Sequence, residues 1–367
     1  SLDARAQSAL LQRPAIKDDA LIRESVTEII STVRAGGDAA VAEFTARFDG
    51  VDVPATRVTA AEIEQAAATL TADEIAAIDL AIDNVRRFHE QQLPVPISLE
   101  TMPGVRCERV SHAIDAVGLY VPAGTAPLPS AAIMLAVPAM LAGCPTRVLC
   151  TPPRPDGTAD PAVLVAATRA GVTDIYKIGG AQAIAAMAYG TETVPKVLKV
   201  FGPGNAWVTS AKTLVSSDPA GAAIDLPAGP SEVLVIADAD ASPVFVASDL
   251  LSQAEHGVDS QVLLLTPSAT LAAAVEQEIE RQLESLSRAD IAREALQHSR
   301  TIIVTDLEAA IDLSNRYAPE HLILQFAGAR ESLPAIRNAG SVFVGAWTPE
   351  SVGDYCSGTN HVLPTYG

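Results

Sequence analysis

The sequence has few cysteines and few basic residues. Its 367 residues include four cysteines, none in a CxxC pair, whereas secreted disulfide scaffolds carry a much higher cysteine density. A reducing compartment is indicated, and we expect a cytoplasmic protein. Lys and Arg total 25 against 44 Asp and Glu, which gives a net charge of −19. Because this charge repels phosphate backbones and anionic lipid headgroups, we expect no nucleic-acid partner and no membrane partner.

The sequence also lacks a signal-peptide core and an uninterrupted apolar run of membrane-spanning length. The first residues, SLDARAQSALLQRP, mix charged side chains into the apolar positions. Residues 116–146 carry no charge, but five prolines interrupt them, and a spanning helix needs roughly 20 apolar residues. A strand, a loop and one short buried helix are predicted there instead.

What is present is ample core material, since 49% of the residues are hydrophobic and 19% are charged. This length predicts two or three domains. The first hundred residues show helical spacing, with one helix predicted to stop at Gly36 and Gly37. From about residue 116, short β-like runs alternate with alanine-rich helical runs, and a second such series begins near residue 230. This alternation is typical of βαβ units on parallel sheets.

We therefore predict an α/β fold with two similar Rossmann-like parallel-sheet domains and additional N-terminal helices. In the expected division, residues 118–228 form one Rossmann-like domain. Residues 1–117 are the N-terminal helical part of the other α/β domain, and residues 229–367 are its remainder.

Three glycine-bearing turns lie where strands are predicted to end and helices to begin: GLYVPAG, IGGAQA and FGPGNAW. Such turns let backbone approach a phosphate at a helix N-terminus. Their polar residues are Tyr120, Gln182 and Asn205, which could bind a nucleotide or merely cap a helix. FGPGNAW has Trp207 where a full dinucleotide fingerprint has its third glycine. The glycines could equally well serve only to turn the chain.

Metal-ligand candidates follow in SQAEHG and SVGDYCSG. Gln253 and His256 are three residues apart near a predicted helix end, so they could share a cation. They could also be a solvated helix end. Asp354 is placed in a glycine-containing loop after a strand, where an aspartate is often just a turn former.

The tetrapeptide PEHL offers a general acid and base, because Glu320 and His321 have different intrinsic pKa values. Adjacent residues of a regular strand point to opposite faces, so one shared site requires irregular backbone near Pro319. A surface glutamate beside a capping histidine is the alternative. No GxSxG nucleophile motif is present. Cys356, two residues from Asp354, is a possible thiol nucleophile for an aldehyde intermediate.

Taken together, several blocks make the sequence resemble histidinol dehydrogenase: GLYVPAG, IGGAQAIAAMAYGT, KVFGPGNAWV, DLPAGPSEVLVIAD, DLLSQAEHG, NRYAPEHL and AGSVFVGAWTPESVGDYCSGTNHVLPT. The resemblance implies a zinc-dependent enzyme that oxidises L-histidinol to L-histidine, the last step of histidine biosynthesis. Two hydride transfers to NAD would pass through bound L-histidinaldehyde. An intertwined homodimer is also implied.

The resemblance carries roles to individual residues. It assigns Tyr120, Gln182 and Asn205 to NAD, and so makes 118–228 the NAD-binding domain. Zinc would be held by three ligands and the substrate contacted by five residues. The implied zinc ligands are Gln253, His256 and Asp354, and the implied substrate contacts are these three with Ser231 and His321. Glu320 and His321 form the implied catalytic pair, in which His321 takes the hydroxyl proton and Glu320 activates water.

The family's helical C-terminal tail, with a further histidine ligand, is not contained in this sequence. We therefore expect weak zinc binding and impaired activity. Another NAD-dependent alcohol or aldehyde dehydrogenase, or a binding protein without turnover, remains an alternative.

Overall fold

The computed structural model describes residues 11–14, 19–123, 126–227 and 229–363. Its contacts divide the chain into two compact units. The first-sheet unit comprises Asp18–Pro227 and Tyr355–Val362, and the second-sheet unit comprises Ala228–Asp354 with Ser1–Lys17 and Leu363–Gly367.

The first-sheet unit begins with helices and a hairpin and continues as alternating strands and helices. Its elements are α1 (Asp19–Phe48), α2 (Ala60–Thr69), α3 (Ala72–Glu90), β1 (Ile97–Met102), β2 (Val105–Arg109), β3 (Ala116–Tyr120), α4 (Pro129–Leu141), β4 (Thr146–Thr151), α5 (Pro161–Arg169), β5 (Asp174–Lys177), α6 (Gly180–Tyr189), β6 (Lys199–Phe201), α7 (Ala206–Ser217) and β7 (Ala223–Ile224).

The second-sheet unit repeats this alternation. Its elements are β8 (Glu232–Ala237), α8 (Pro243–Ala254), β9 (Gln261–Thr266), α9 (Ala269–Leu283), α10 (Ala289–Leu296), β10 (Arg300–Ile303), α11 (Leu307–Tyr317), β11 (His321–Gln325), a 3₁₀ turn (Leu333–Ala335), β12 (Ser341–Val344) and α12 (Glu350–Tyr355).

Both five-stranded sheets are parallel and have the same topology. The first has the order β5-β4-β3-β6-β7, and the second has the order β10-β9-β8-β11-β12. When the five strands of each sheet are numbered in chain order, both sheets have the order 3-2-1-4-5, which is that of the first five strands of the six-stranded Rossmann fold. The predicted α/β class with two similar parallel-sheet domains is confirmed.

The N-terminal helices pack differently from the sequence-based division. Helix α1 packs on α6 and α7, α2 packs on α5, and α3 packs on α4. The apolar face of α1, which includes Val33, Val41 and Phe44, lies in one core with Met187 and Val208. The helices before residue 117 therefore complete the first-sheet unit, whereas the sequence grouped them with residues 229–367. Apolar periodicity shows which face of a helix is buried, but not which element that face packs against.

Two local features refine the prediction for the helical region. Helix α1 breaks at Gly37, which has φ 55°, and resumes beyond it, so the glycine pair ends one helix and begins another. The hairpin β1–β2 was not predicted, and all residues of both strands are exposed. Within the described residues, no helix is both long and apolar enough to cross a bilayer.

Candidate functional site

A cavity of about 830 Å³ opens at the carboxyl ends of the first-sheet strands. Tyr120 ends β3, Gly180 begins α6, and Asn205 precedes α7. These residues and Gln182 all line the cavity. Strands β3 and β6 are the neighbours at which the strand order reverses, and ligands of open α/β sheets bind at that point. Gly124 of the first predicted turn lies outside the described residues.

The IGGAQA and FGPGNAW turns beside this cavity both pack closely against Tyr120. The Gly180 N–H donates to the Tyr120 hydroxyl at 3.1 Å, and burial raises the pKa of that hydroxyl. Gly202 has φ 125°, and a Cβ there would lie 2.1 Å from the Tyr120 carbonyl oxygen. Only glycine allows the FGPGNAW turn to lie against β3 in this way.

The polar residues have different surroundings. Asn205 caps α7, since its Oδ1 accepts from the Trp207 and Val208 N–H groups at 3.1 and 3.2 Å. Gln182 is buried within α6. The cavity also contains Asp49, whose buried Oδ2 has no hydrogen-bond partner among the described residues. The N-termini of α6 and α7 suit phosphate groups, and a carboxylate suits the hydroxyls of a ribose. A cavity of this size with these groups fits a dinucleotide.

A second polar cluster lies at the amino edge of the other sheet, within the second-sheet unit. Glu232 and His321 begin β8 and β11, the strands at which this sheet's order reverses. Helices α8 and α11 end just before β9 and β11 in the chain. Parallel βαβ connections bring helix C-termini to this edge, where the negative ends of their dipoles favour cations.

His321 is held by both ring nitrogens. Its Nδ1 lies 2.9 Å from the Glu232 carbonyl oxygen, and because a carbonyl only accepts, Nδ1 carries the proton. Its Nε2 lies 3.1 Å from Asp354 Oδ1. Burial alone would lower the pKa of His321. The hydrogen bond with Asp354 and the charges of Glu320, Asp354 and Glu350 outweigh burial and raise the pKa to about 9.

Glu320 and His321 do share one site, as the irregular backbone allows. Ala318 ends α11 with φ 54°, and Glu320 lies just before β11. The Glu320 Oε2 accepts from the Glu232 N–H at 3.0 Å and lies 3.6 Å from His321 Nδ1. Burial raises the pKa of Glu320 to about 8. The guanidinium of Arg13 pairs with the Glu232 carboxylate and donates to the carbonyls of residues 317 and 318.

Asp354 lies in helix α12 and not in the predicted loop. This helix also brings in Glu350, which the sequence analysis missed. Residues four apart in a helix share a face, so the spacing of Glu350 and Asp354 would have revealed the pair had a helix been predicted. Gln253 Nε2 donates to Glu350 Oε1 at 2.6 Å, and Ser252 Oγ donates to Glu350 Oε2 at 2.5 Å.

The cluster fits a metal ion. Ligand atoms of His321, Glu350 and Asp354 lie within 4.8 Å of one another, and all three residues are buried. Gln253 is 0% exposed, and its buried Oε1 has no hydrogen-bond partner in the part of the chain that the structure describes. A buried amide oxygen without a donor is costly and can be satisfied by a cation. Imidazole and carboxylate donors suit zinc.

The remaining candidate residues have different surroundings. His256 is exposed beyond the end of α8 and is not one of the three clustered metal-ligand residues. Ser231 directly precedes Glu232 at the same sheet edge, where its carbonyl accepts from the Gln261 N–H at 3.2 Å. Cys356 is exposed and belongs to the first-sheet unit, whereas the cluster belongs to the second-sheet unit.

Comparisons with known proteins agree along the whole chain. The histidinol dehydrogenase family model matches residues 11–367. A histidinol dehydrogenase of Yersinia pestis is 56% identical over 361 residues, which are 98% of this chain and 81% of that protein. Its counterpart in Xanthomonas campestris pv. campestris (strain 8004) is 57% identical over 366 residues, covering 100% of this chain and 85% of that protein.

A solved structure shows the same fold. The crystal structure of histidinol dehydrogenase from Elizabethkingia anophelis matches with a TM-score of 0.96 at 45% identity, and the match covers 100% of this chain and 84% of that one. With this similarity in sequence and in structure, the chain belongs to the histidinol dehydrogenase family, a family of NAD-dependent oxidoreductases.

Proposed function

We propose that this chain oxidises L-histidinol to L-histidine in two steps through bound L-histidinaldehyde. Besides the family membership, one observation carries the proposal. Glu320 and His321 are buried side by side in different hydrogen-bonding environments, next to residues that could hold a metal. Two proton acceptors in one buried site suit a reaction in which an alcohol and then a water must each lose a proton.

NAD and zinc complete the proposal. When bound, NAD⁺ would accept the hydride, and a zinc ion would act as a Lewis acid that binds a substrate nitrogen. Tyr120, Gln182 and Asn205 are proposed to bind the nucleotide. Gln253, His256 and Asp354 are the proposed zinc ligands, and these three with Ser231 and His321 are the proposed substrate contacts.

In the first step, His321 would act through Nε2. The raised pKa favours a ring with both nitrogens protonated, and the Nδ1–H is committed to the Glu232 carbonyl. Nε2 would therefore first lose its own proton and then take one up from the substrate. The substrate hydroxyl would give its proton to Nε2 as the carbon–hydrogen bond breaks, which leaves the aldehyde. The contact between Nε2 and Asp354 would orient the ring.

In the second step, Glu320 would act on water. Water adds to the aldehyde carbon, and Glu320 takes the proton that this water loses. The resulting hydrate anion would then lose its carbon-bound hydrogen as hydride, which a second NAD⁺ would accept, and the carboxylic acid would remain. The Glu232 N–H fixes one Glu320 oxygen, so the other is the one proposed to meet the water.

The test measures NADH formation from histidinol, with added zinc and with a chelator. The proposal predicts two NADH per histidinol and little turnover of simple primary alcohols. A general alcohol dehydrogenase would oxidise both kinds of substrate and need not depend on zinc, and turnover of simple alcohols comparable with that of histidinol would contradict the proposal. NAD binding without turnover would indicate a binding protein.

The implied homodimer and the cytoplasmic location also stay predictions. The exposed hairpin β1–β2 presents Leu99 and Met102, which are 59% and 61% exposed, and apolar surface of this kind suits a second copy of the chain. Light scattering of the wild type and of Leu99→Ser/Met102→Ser tests this, since a dimer should become a monomer in the variant.

A further inference from the structure

We propose that Glu350 is a positioning residue that turns the Gln253 amide so that its oxygen, and not its nitrogen, faces the metal. The inference rests on the proposed metal site. It gives a function to a buried carboxyl group that takes no part in the two proton transfers.

The contact with Glu350 decides how the amide is turned. Gln253 Nε2 lies 2.6 Å from Glu350 Oε1. Only the nitrogen of an amide carries protons, and a carboxyl oxygen accepts them. The nitrogen must therefore face Glu350, which leaves Oε1 on the other side of the amide.

No other contact of Gln253 fixes this orientation. Its Nε2 lies 3.5 Å from His321 Nδ1, but that ring nitrogen already donates its proton to the Glu232 carbonyl. It therefore offers the amide no acceptor. The Gln253 Oε1 is buried and accepts no hydrogen bond from any described residue. The bond to Glu350 is the strong directional contact of this side chain.

The reversed amide would be penalised twice. Its oxygen would face a carboxyl oxygen, and its N–H₂ group would face the metal position. Both arrangements bring together like partial charges in a buried site, where such contacts are costly. A metal ion needs the lone pair of the oxygen, so the wrong orientation would remove one ligand.

Glu350 is itself held in place. Ser252 Oγ donates to its second oxygen at 2.5 Å, and the Glu350 backbone N–H bonds to Asp249. Gly353, on the same helix, packs so closely that a Cβ there would lie 2.2 Å from Phe343 Cε1. Both carboxyl oxygens have partners on α8, and the carboxyl group also has a hydrogen bond with Asp354, so its position is fixed from both helices.

The test compares zinc dissociation constants of the wild type, Glu350→Leu and Glu350→Gln, measured by calorimetry on the full chain. Removing a group that orients a metal ligand typically lowers affinity about 10- to 100-fold, and this loss is expected for Glu350→Leu. Glu350→Gln should bind zinc nearly as the wild type does, because its amide oxygen still accepts from Gln253 Nε2. The visible spectrum of bound Co²⁺ should change in Glu350→Leu alone.

Asn315→Leu is the matched control. Asn315 is a buried amide of the same unit that donates to the Ala335 carbonyl and makes no hydrogen bond to the cluster among those described. Its loss should lower the unfolding temperature and leave zinc affinity unchanged. This separates positioning from general destabilisation.

Three results would overturn the inference. Unchanged zinc affinity in Glu350→Leu would show that the amide needs no orienting group. Equal losses in Glu350→Leu and Glu350→Gln would show that Glu350 binds the metal through its charge. A wild-type chain that takes up no zinc would overturn the proposed metal site itself, and the inference with it.

Discussion

Lys212→Met should destabilise the first-sheet unit and weaken NAD binding, although Lys212 does not line the nucleotide cavity. Lys212 is 2% exposed and pairs with the Asp225 carboxylate. Its Nζ also donates to the Gly202 carbonyl at 2.7 Å, and Asp225 Oδ2 accepts from the Gly202 N–H at 2.9 Å. The ion pair therefore holds both backbone groups of the glycine that lies against Tyr120.

The magnitude follows from burial. Removing one partner of a buried ion pair leaves the other charge uncompensated and costs about 3–5 kcal/mol. We expect a loss of this size for Lys212→Met. The double variant Lys212→Met/Asp225→Leu removes both charges, so its loss should be smaller than the sum of the two single losses, with a coupling energy of about 1–3 kcal/mol.

Urea unfolding gives the stability of each variant, and calorimetric titration with NAD⁺ gives its affinity. Lys196→Met is the control, because this exposed lysine also donates to a backbone carbonyl, that of Ala220 at 2.9 Å, and should lose little stability. A Lys212→Met loss no larger than that of Lys196→Met, or an unchanged NAD⁺ affinity, would refute the reasoning.

Three further predictions concern Asp249 and Gly353 of the second-sheet unit and Cys356 of the first-sheet unit. Burial raises the pKa of Asp249 from 3.8 to about 6, so the folded state binds more protons between these values. Wild-type stability should then fall by up to about 3 kcal/mol as the pH rises from about 4 to about 6. In Asp249→Asn the fall between pH 4 and pH 7, measured by urea unfolding, should be smaller than that of the wild type by up to about 3 kcal/mol; equal falls would contradict this. Gly353→Ala should cost about 1–3 kcal/mol by overpacking against Phe343 and should weaken zinc binding; wild-type values of both would count against the placement of α12. Cys356→Ala should keep most NADH-forming activity, and a loss beyond about a hundredfold with the fold intact would indicate a thiol nucleophile.

The fold was largely predictable because strand and helix patterns are local. Apolar runs such as AVGLYV and EVLVIAD reveal buried strands, and their alternation with helices gives parallel sheets. The partner of the N-terminal helices was not predictable. An amphipathic face such as that of α1 fits either sheet, and the choice is made by side-chain packing over long sequence distances.

Some residues of the candidate sites could be predicted from the sequence and others could not. Tyr120, Gln182 and Asn205 follow strands of one sheet, so their meeting at its carboxyl edge could be expected. Glu350 escaped notice because its segment, with Pro349 and Gly353, indicates a loop and not a helix. The role of His256 stays a prediction, which rests on its helical spacing from Gln253, and its side chain is exposed in this structure.

His321 and Glu320 are proposed to serve different steps, and supplying each substrate separately distinguishes these steps. NADH formation from histidinol and from histidinaldehyde is measured for His321→Ala and Glu320→Ala. Loss of a general acid or base costs about 10²- to 10⁴-fold. The account predicts that His321→Ala loses histidinol oxidation above all, whereas Glu320→Ala loses mainly histidinaldehyde oxidation. Equal losses with both substrates in both variants would contradict it.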